Sequence, residues 1–326
     1  MRFILFSIFI VLICLNGFVL ASQQKKAIVT VVLNKESCGS YSAIPISYST
    51  DTPISENTDI PMVAKRLNQQ LDKVFGVNCK LSGIEIRGLI SDNTLSKVQI
   101  ATRVLSNRAV LGAPLWLDSR GGLVSEALKI GDLIASKEFR VLVRFNNKCF
   151  SSCVFIYAAG IYRTPGGDIG IHRPFSYELS VESISYPEYL KKYEVLTPIL
   201  KNYFAKYGVS PSVVDDMNVV LSDDIRILSK EDLNSYGLGN ENVAAKEFEK
   251  AKIIQVCGLD FHNLELKYKL MKEVCSQKMK NEGKVWIEYF KECTAYSEGI
   301  FPKYAQQRTT CWQKINVAKS KKYEPK

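Results

Sequence analysis

Histidine is scarce in this chain: its 326 residues include two, His172 and His262, and no two cysteines are spaced C-x-x-C. Protein zinc sites are built from those elements, so no metal centre is expected, and no cofactor is called for. Past the N-terminus no run is apolar enough to span a bilayer. The composition of a disordered chain is missing too, since 46 % of residues are hydrophobic and 23 % charged. A chain of this length and mixture is expected to build one sizeable core with appendages.

What is present begins with a leader. Arg2 precedes an apolar run over residues 3–18, and Val19, Leu20 and Ala21 lead to Ser22. This is the pattern of a signal peptide over residues 1–21, which implies a periplasmic or secreted protein. An uncleaved N-terminal segment anchoring the protein to the membrane is the alternative. Cys14 lies inside the leader, leaving Cys38, Cys79, Cys149, Cys153, Cys257, Cys275, Cys293 and Cys311. An even set in an exported chain favours disulfides. The net charge of +10 implies weak association with anionic envelope surfaces. It does not imply specific nucleic-acid binding, because the lysines are dispersed and only residues 319–326 form a basic tail.

Along the chain, residues 27–33 are a β-branched run expected as a strand, followed by a polar loop over 37–61. Val63, Leu67, Leu71 and Val74 then recur at helical spacing. Together these make a loop-rich N-terminal lobe over residues 22–82, which a bridge between Cys38 and Cys79 can close. Over residues 83–245, short apolar runs alternate with helical segments. Strands are expected at 84–90, 114–117, 140–145, 161–163 and 168–172, and helices at 95–106, 123–135, 152–159 and 184–207. Such alternation predicts an α/β fold with a mostly parallel sheet.

Residues 246–318 differ in kind. Cys257, Cys275, Cys293 and Cys311 are spaced by 18 residues, five helical turns, so they would share a face of one continuous helix. Asn281-Glu282-Gly283, and Gly299 with Pro302, are expected to break it into a hairpin or three short helices stapled by disulfides.

The chemistry concentrates around Cys149-Phe150-Ser151-Ser152-Cys153, followed 21 residues after Ser151 by His172. A hydroxyl at a helix N-terminus sits where free N–H groups favour developing negative charge. A serine there needs a base, and His172 is the only histidine of the core segment. A simple N-cap and a hydrogen-bonded strand-end histidine fit the same spacing. Leu117-Asp118-Ser119-Arg120-Gly121-Gly122 turns a strand into a helix and can present backbone donors to an oxyanion, although tight turns use glycine for steric reasons alone. Cys149 and Cys153 are close enough for a local disulfide pinning the serine turn, or else are two small packing residues.

These motifs, in this order, resemble the Clp-protease proteolytic subunit. That family shows Ser-Pro-Gly-Gly after a strand, a nucleophilic serine before a small-residue helix ending Ala-Gly, and Met-Ile-His-Gln-Pro carrying the base. Here Ser151 opens a helix ending Ala158-Ala159-Gly160, Ile171-His172-Arg173-Pro174 follows, and Asp224 to Ser229 with Tyr236-Gly237-Leu238 is similar to the acid-bearing region. The resemblance covers residues 84–238 and implies a ClpP/crotonase-like core of repeated ββα/βαβ units. It further implies Ser151 as nucleophile, His172 as general base, Asp224 as the acid and the N–H groups of Gly122 and Ser152 as the oxyanion hole. Ser152 competes with Ser151, and Asp223 with Asp224. Arg120 stands where the family has proline, and Arg173 where it has glutamine.

The function so implied is an exported serine peptidase-like hydrolase using a Ser-His-Asp triad on peptides or unfolded protein, without a cofactor. Relatives of the fold assemble into rings, so a homo-oligomer through residues 184–207 is expected. The rival is a non-catalytic ClpP-like binding or scaffold protein of the cell envelope. The acyl-coenzyme A enzymes of the same fold family do not call for the Ser151 and His172 pair.

Overall fold

The computed structural model describes residues 26–40, 42–49, 53–106, 108–109, 113–174, 185–239 and 243–322. The leader and the end of the basic tail lie outside the described residues. The fold is mixed α/β. Strand β1 (Ile28–Leu33), helix α1 (Lys35–Cys38), β2 (Ala43–Pro45) and α2 (Ile60–Phe75) come first. They lead into β3 (Leu81–Arg87), α3 (Thr94–Ser106), β4 (Leu115–Asp118), α4 (Val124–Ser136) and β5 (Arg140–Val143).

A short β6 (Lys148–Phe150) and α5 (Cys153–Ala158) follow, then β7 (Tyr162–Pro165) and β8 (Asp168–Ile171). The six-stranded sheet runs β2-β1-β3-β4-β5-β7 and is parallel from β3 to β7. Its antiparallel edge is made by β1 and β2. Thus β1 and α2, from the segment expected as a separate lobe, share the sheet and the hydrophobic cluster of β3. The β-branched run over 27–33 made β1 legible, but its pairing with β3 is set across the core.

A second sheet, β6-β8-β9, completes the core, with β9 at Arg226–Ile227. It joins the first where Ser119, just past β4, bridges Cys149 of β6. Helix α5, with the sequence CVFIYA, is buried at every residue, as a helix apolar on all sides must be. Beyond β8 lie α6 (Tyr186–Lys206), α7 (Ser212–Val219) and α8 (Lys230–Ser235).

The C-terminal region is four helices rather than two or three: α9 (Val243–Cys257), α10 (Leu259–Asn281), α11 (Trp286–Ile300) and α12 (Pro302–Lys322). The breaks fall at Gly258 and Gly283, both in the positive-φ region that glycine tolerates, and before Pro302. Gly299, expected as part of a break, lies within α11. These helices carry a separate small cluster of Ile253, Phe261, Tyr268, Tyr304, Cys311 and Ile315. Polar links that tie them to the core include Lys252 Nζ to Glu138 at 2.9 Å, and Tyr162 Oη to the Glu249 carboxylate.

Four disulfides occur among the described residues. Cys38–Cys79 and Cys149–Cys153 form in the core, while Cys257–Cys311 and Cys275–Cys293 nest one inside the other in the appendage.

Candidate active site

Ser151 stands between β6 and α5 with φ at +55°, the left-handed region that L-residues avoid. Local contacts hold it there. Its N–H donates to the Gly170 carbonyl at 2.9 Å, and the Phe150 N–H before it donates to the Ser119 carbonyl at 3.0 Å. The Cys149–Cys153 bridge, both of whose cysteines are fully buried, closes around the turn. A non-glycine residue in this region costs about 1–2 kcal/mol and persists only where its surroundings over-determine it.

Parallel pairing then places His172. Phe150 is in register with Gly170, so Ser151, one residue on, and His172, two residues on, leave neighbouring strands at the same end. Adjacent strands run about 4.8 Å apart, so the two backbones are neighbours, and no hydrogen bond joins the Ser151 and His172 side chains among the described residues. The Nδ1 of half-buried His172 lies 2.8 Å from the Arg173 carbonyl oxygen. A carbonyl only accepts, so in the neutral imidazole the proton sits on Nδ1 and the lone pair on Nε2. That is the tautomer a general base requires.

Asp224 is not joined to this pair. It is exposed, its N–H donates to the Leu221 carbonyl, and its carboxylate makes no hydrogen bond or ion pair among the described residues. Asp223 is likewise exposed. Between the two serines the environments differ sharply. Ser152 is 1 % exposed with a buried, unpartnered Oγ, whereas Ser151 is half-buried.

The Gly-Gly turn presses directly on the serine. A Cβ on Gly121 would lie 2.7 Å from Ser151 Cβ and 2.8 Å from the Phe150 carbonyl oxygen. One on Gly122, where φ is +137°, would lie 1.9 Å from the Ile90 carbonyl oxygen. Glycine is therefore sterically required at both positions. Ser119 shapes the turn by accepting the Gly121 N–H on its Oγ at 3.0 Å. Among the described residues, neither the Gly122 nor the Ser152 N–H donates a hydrogen bond.

Sequence reasoning missed three contributors. Ser119 looked like an ordinary turn residue, though its buried side chain and both backbone bonds to β6 organise the site. Gly170 brings β8 against Phe150 and Ile225, with no room for a side chain. Arg163 is 2 % exposed and donates from Nη1 to the Ala158 carbonyl at 2.7 Å, so its cation caps the carboxyl end of the serine helix. Burial lowers the pKa of this guanidinium. The Arg-Thr-Pro stretch offered only its position inside an apolar segment as a signal.

The second histidine, His262, is buried in the appendage 3.7 Å from Glu265 and takes no part here.

No family model and no curated protein matches the chain. Among solved structures it is similar to a mutant of the 1510-N membrane-bound stomatin-specific protease, at 17 % identity and a TM-score of 0.29, over 42 % of this chain and 67 % of that one. It is also similar to a mutant of ClpP1 from Listeria monocytogenes, at 21 % identity and a TM-score of 0.34, over 48 % of this chain and 90 % of that one.

Proposed function

We propose that the protein is an exported serine peptidase-like hydrolase acting on peptides or unfolded segments. The observation that carries this is Ser151: a half-buried serine in a left-handed turn at a helix N-terminus, beside a histidine whose Nδ1 is held as donor. Ser151 Oγ attacks the substrate carbonyl carbon while His172 Nε2 takes the hydroxyl proton. The N–H groups of Gly122 and Ser152 receive the charge on the carbonyl oxygen. His172 then passes its proton to the leaving amine as the C–N bond breaks, and water, deprotonated by the same imidazole, releases the acyl group.

In this scheme the Arg173 carbonyl orients the imidazole in the free protein. Asp224 is the proposed acid because Ile171 pairs with Arg226, which brings the chain carrying Asp224 alongside His172. Export rests on the leader sequence. Self-association through α6 is proposed from the apolar side chains of Leu190, Val195 and Ile199, which that helix exposes.

A fluorophosphonate serine-hydrolase probe tests the proposal. Labelling is expected in the wild type and in Ser152→Ala, and is expected to vanish in Ser151→Ala and His172→Ala. That no carboxylate bonds His172 among the described residues favours the second reading, a binding scaffold that keeps the fold without turnover. A folded wild type that takes no label would establish that reading instead.

A further inference from the structure

Four arginines of the core are paired with carboxylates. Arg87 reaches Glu85 and Asp118, Arg108 reaches Asp72, Arg144 reaches Glu85, and Arg226 reaches Asp216 and Asp232. Two arginines at the candidate site are not matched. Arg120 is exposed, and no acceptor for its guanidinium occurs among the described residues. Arg173 donates from Nε to the Val220 carbonyl at 3.0 Å, and no described carboxylate lies within ion-pair distance of it.

Their positions are set by the site. Arg120 is one Cα step, about 3.8 Å, from Gly121, which packs on Ser151. Ser119 on its other side is buried and tied to the turn, whereas Arg120 itself is exposed. Arg173 directly follows His172, and its backbone and Nε both bond Val220. An arginine with no ion pair among the described residues therefore directly precedes the glycine packed on Ser151, and another directly follows His172. The nearby carboxylates do not answer them: Asp118 serves Arg87 and the Lys148 N–H, and Asp168 sits across from Lys148 in the strand register.

We infer that the site selects substrates with an acidic side chain beside the scissile bond, held by Arg120 and Arg173. The inference rests on the peptidase proposal and names its substrate class. A guanidinium binds a carboxylate through paired N–H donors, with a directionality that lysine does not offer. Both arginines are solvent-accessible, so the preference is moderate and weakens with salt.

The test uses peptidyl diphenyl phosphonates that differ only in the residue next to the warhead: glutamate, leucine or lysine. At low ionic strength the glutamate probe is expected to inactivate the protein about tenfold faster than the lysine probe, with the ratio shrinking as salt rises. Arg120→Glu should invert or abolish the ratio, and Arg173→Gln should reduce it. Arg66→Glu, at an exposed position on α2, should leave it unchanged. Equal rates for the glutamate and lysine probes, in a protein that still takes the uncharged fluorophosphonate on Ser151, would overturn the inference and leave the peptidase proposal standing. A wild type that reacts with no probe would sink the peptidase proposal, and the inference with it.

Discussion

The core and the C-terminal appendage each hold two disulfides and use them differently. The core has a hydrophobic cluster running from Ala27 to Leu238, so it does not depend on cross-links for bulk stability. Its Cys149–Cys153 bridge spans four residues and fixes the backbone around Ser151. The appendage has six buried hydrophobic residues in its cluster and leaves Leu259, Leu266, Leu270 and Val274 exposed on α10. A unit with so little apolar burial needs staples. Its Cys257–Cys311 bridge joins the C-terminal end of α9 to the middle of α12 across 54 residues. The same bond shapes a site in one region and holds helices together in the other.

The sharpest way to break this comparison acts on the core alone. Gly121→Ala pushes a methyl group into Ser151 and the Phe150 carbonyl, and should lower fluorophosphonate labelling on the order of 10^3-fold, as loss of the proposed oxyanion turn would. Circular dichroism should show the appendage helices unchanged. Next in size is Cys257→Ser with Cys311→Ser: opening this loop is expected to destabilise the appendage by about 4 kcal/mol in urea unfolding followed by ellipticity, with labelling of Ser151 retained.

Cys149→Ala with Cys153→Ala should do the reverse. The chain-entropy loss for so short a loop is about 2 kcal/mol, yet relaxation of the left-handed serine should slow labelling by about tenfold. Equal effects of both double mutants on labelling would erase the distinction between the regions.

Asp224→Asn is expected to slow labelling only a few-fold, because the Arg173 carbonyl already holds Nδ1. A loss matching that of His172→Ala would assign Asp224 a full share of the mechanism. The smallest effect concerns Asp232, which caps α8. The Ser229 backbone N–H, then Arg226, holds its carboxyl below the usual value. Its contribution is therefore complete above the unfolded carboxylate pKa near ~3.9 and disappears as pH falls through the lower folded value. Asp232→Asn should lower stability at pH 7 by no more than about 1 kcal/mol, and the difference from wild type should close in acid.

Much of the fold was legible because its signals are local. The apolar spacing of Val63, Leu67 and Leu71 becomes the buried face of α2, and the helices expected at 95–106 and 123–135 form within one residue of those limits. β6 was not legible: Lys148-Cys149-Phe150 is too short to show alternation, and it becomes a strand because Ser119 and Gly170 bond it on either side. The appendage was legible as helical and cysteine-stapled. Its connectivity was not, since equal 18-residue spacing offers no preference among pairings until the helices turn at Gly258, Gly283 and Pro302.

The candidate site divides the same way. The order of the Gly-Gly turn, the serine and the histidine could be read from the chain, as could the reach between Cys149 and Cys153. The left-handed Ser151, the buried Oγ of Ser152, the Arg173 carbonyl on His172 and the unmatched Arg120 could not. By itself the sequence determined where helices and strands form and which residues stand at their ends, because those follow from side-chain periodicity and backbone preference over a few residues. Only the tertiary structure decided which ends meet and which polar groups find partners, because hydrogen-bond satisfaction and close packing depend on residues brought together from distant parts of the chain.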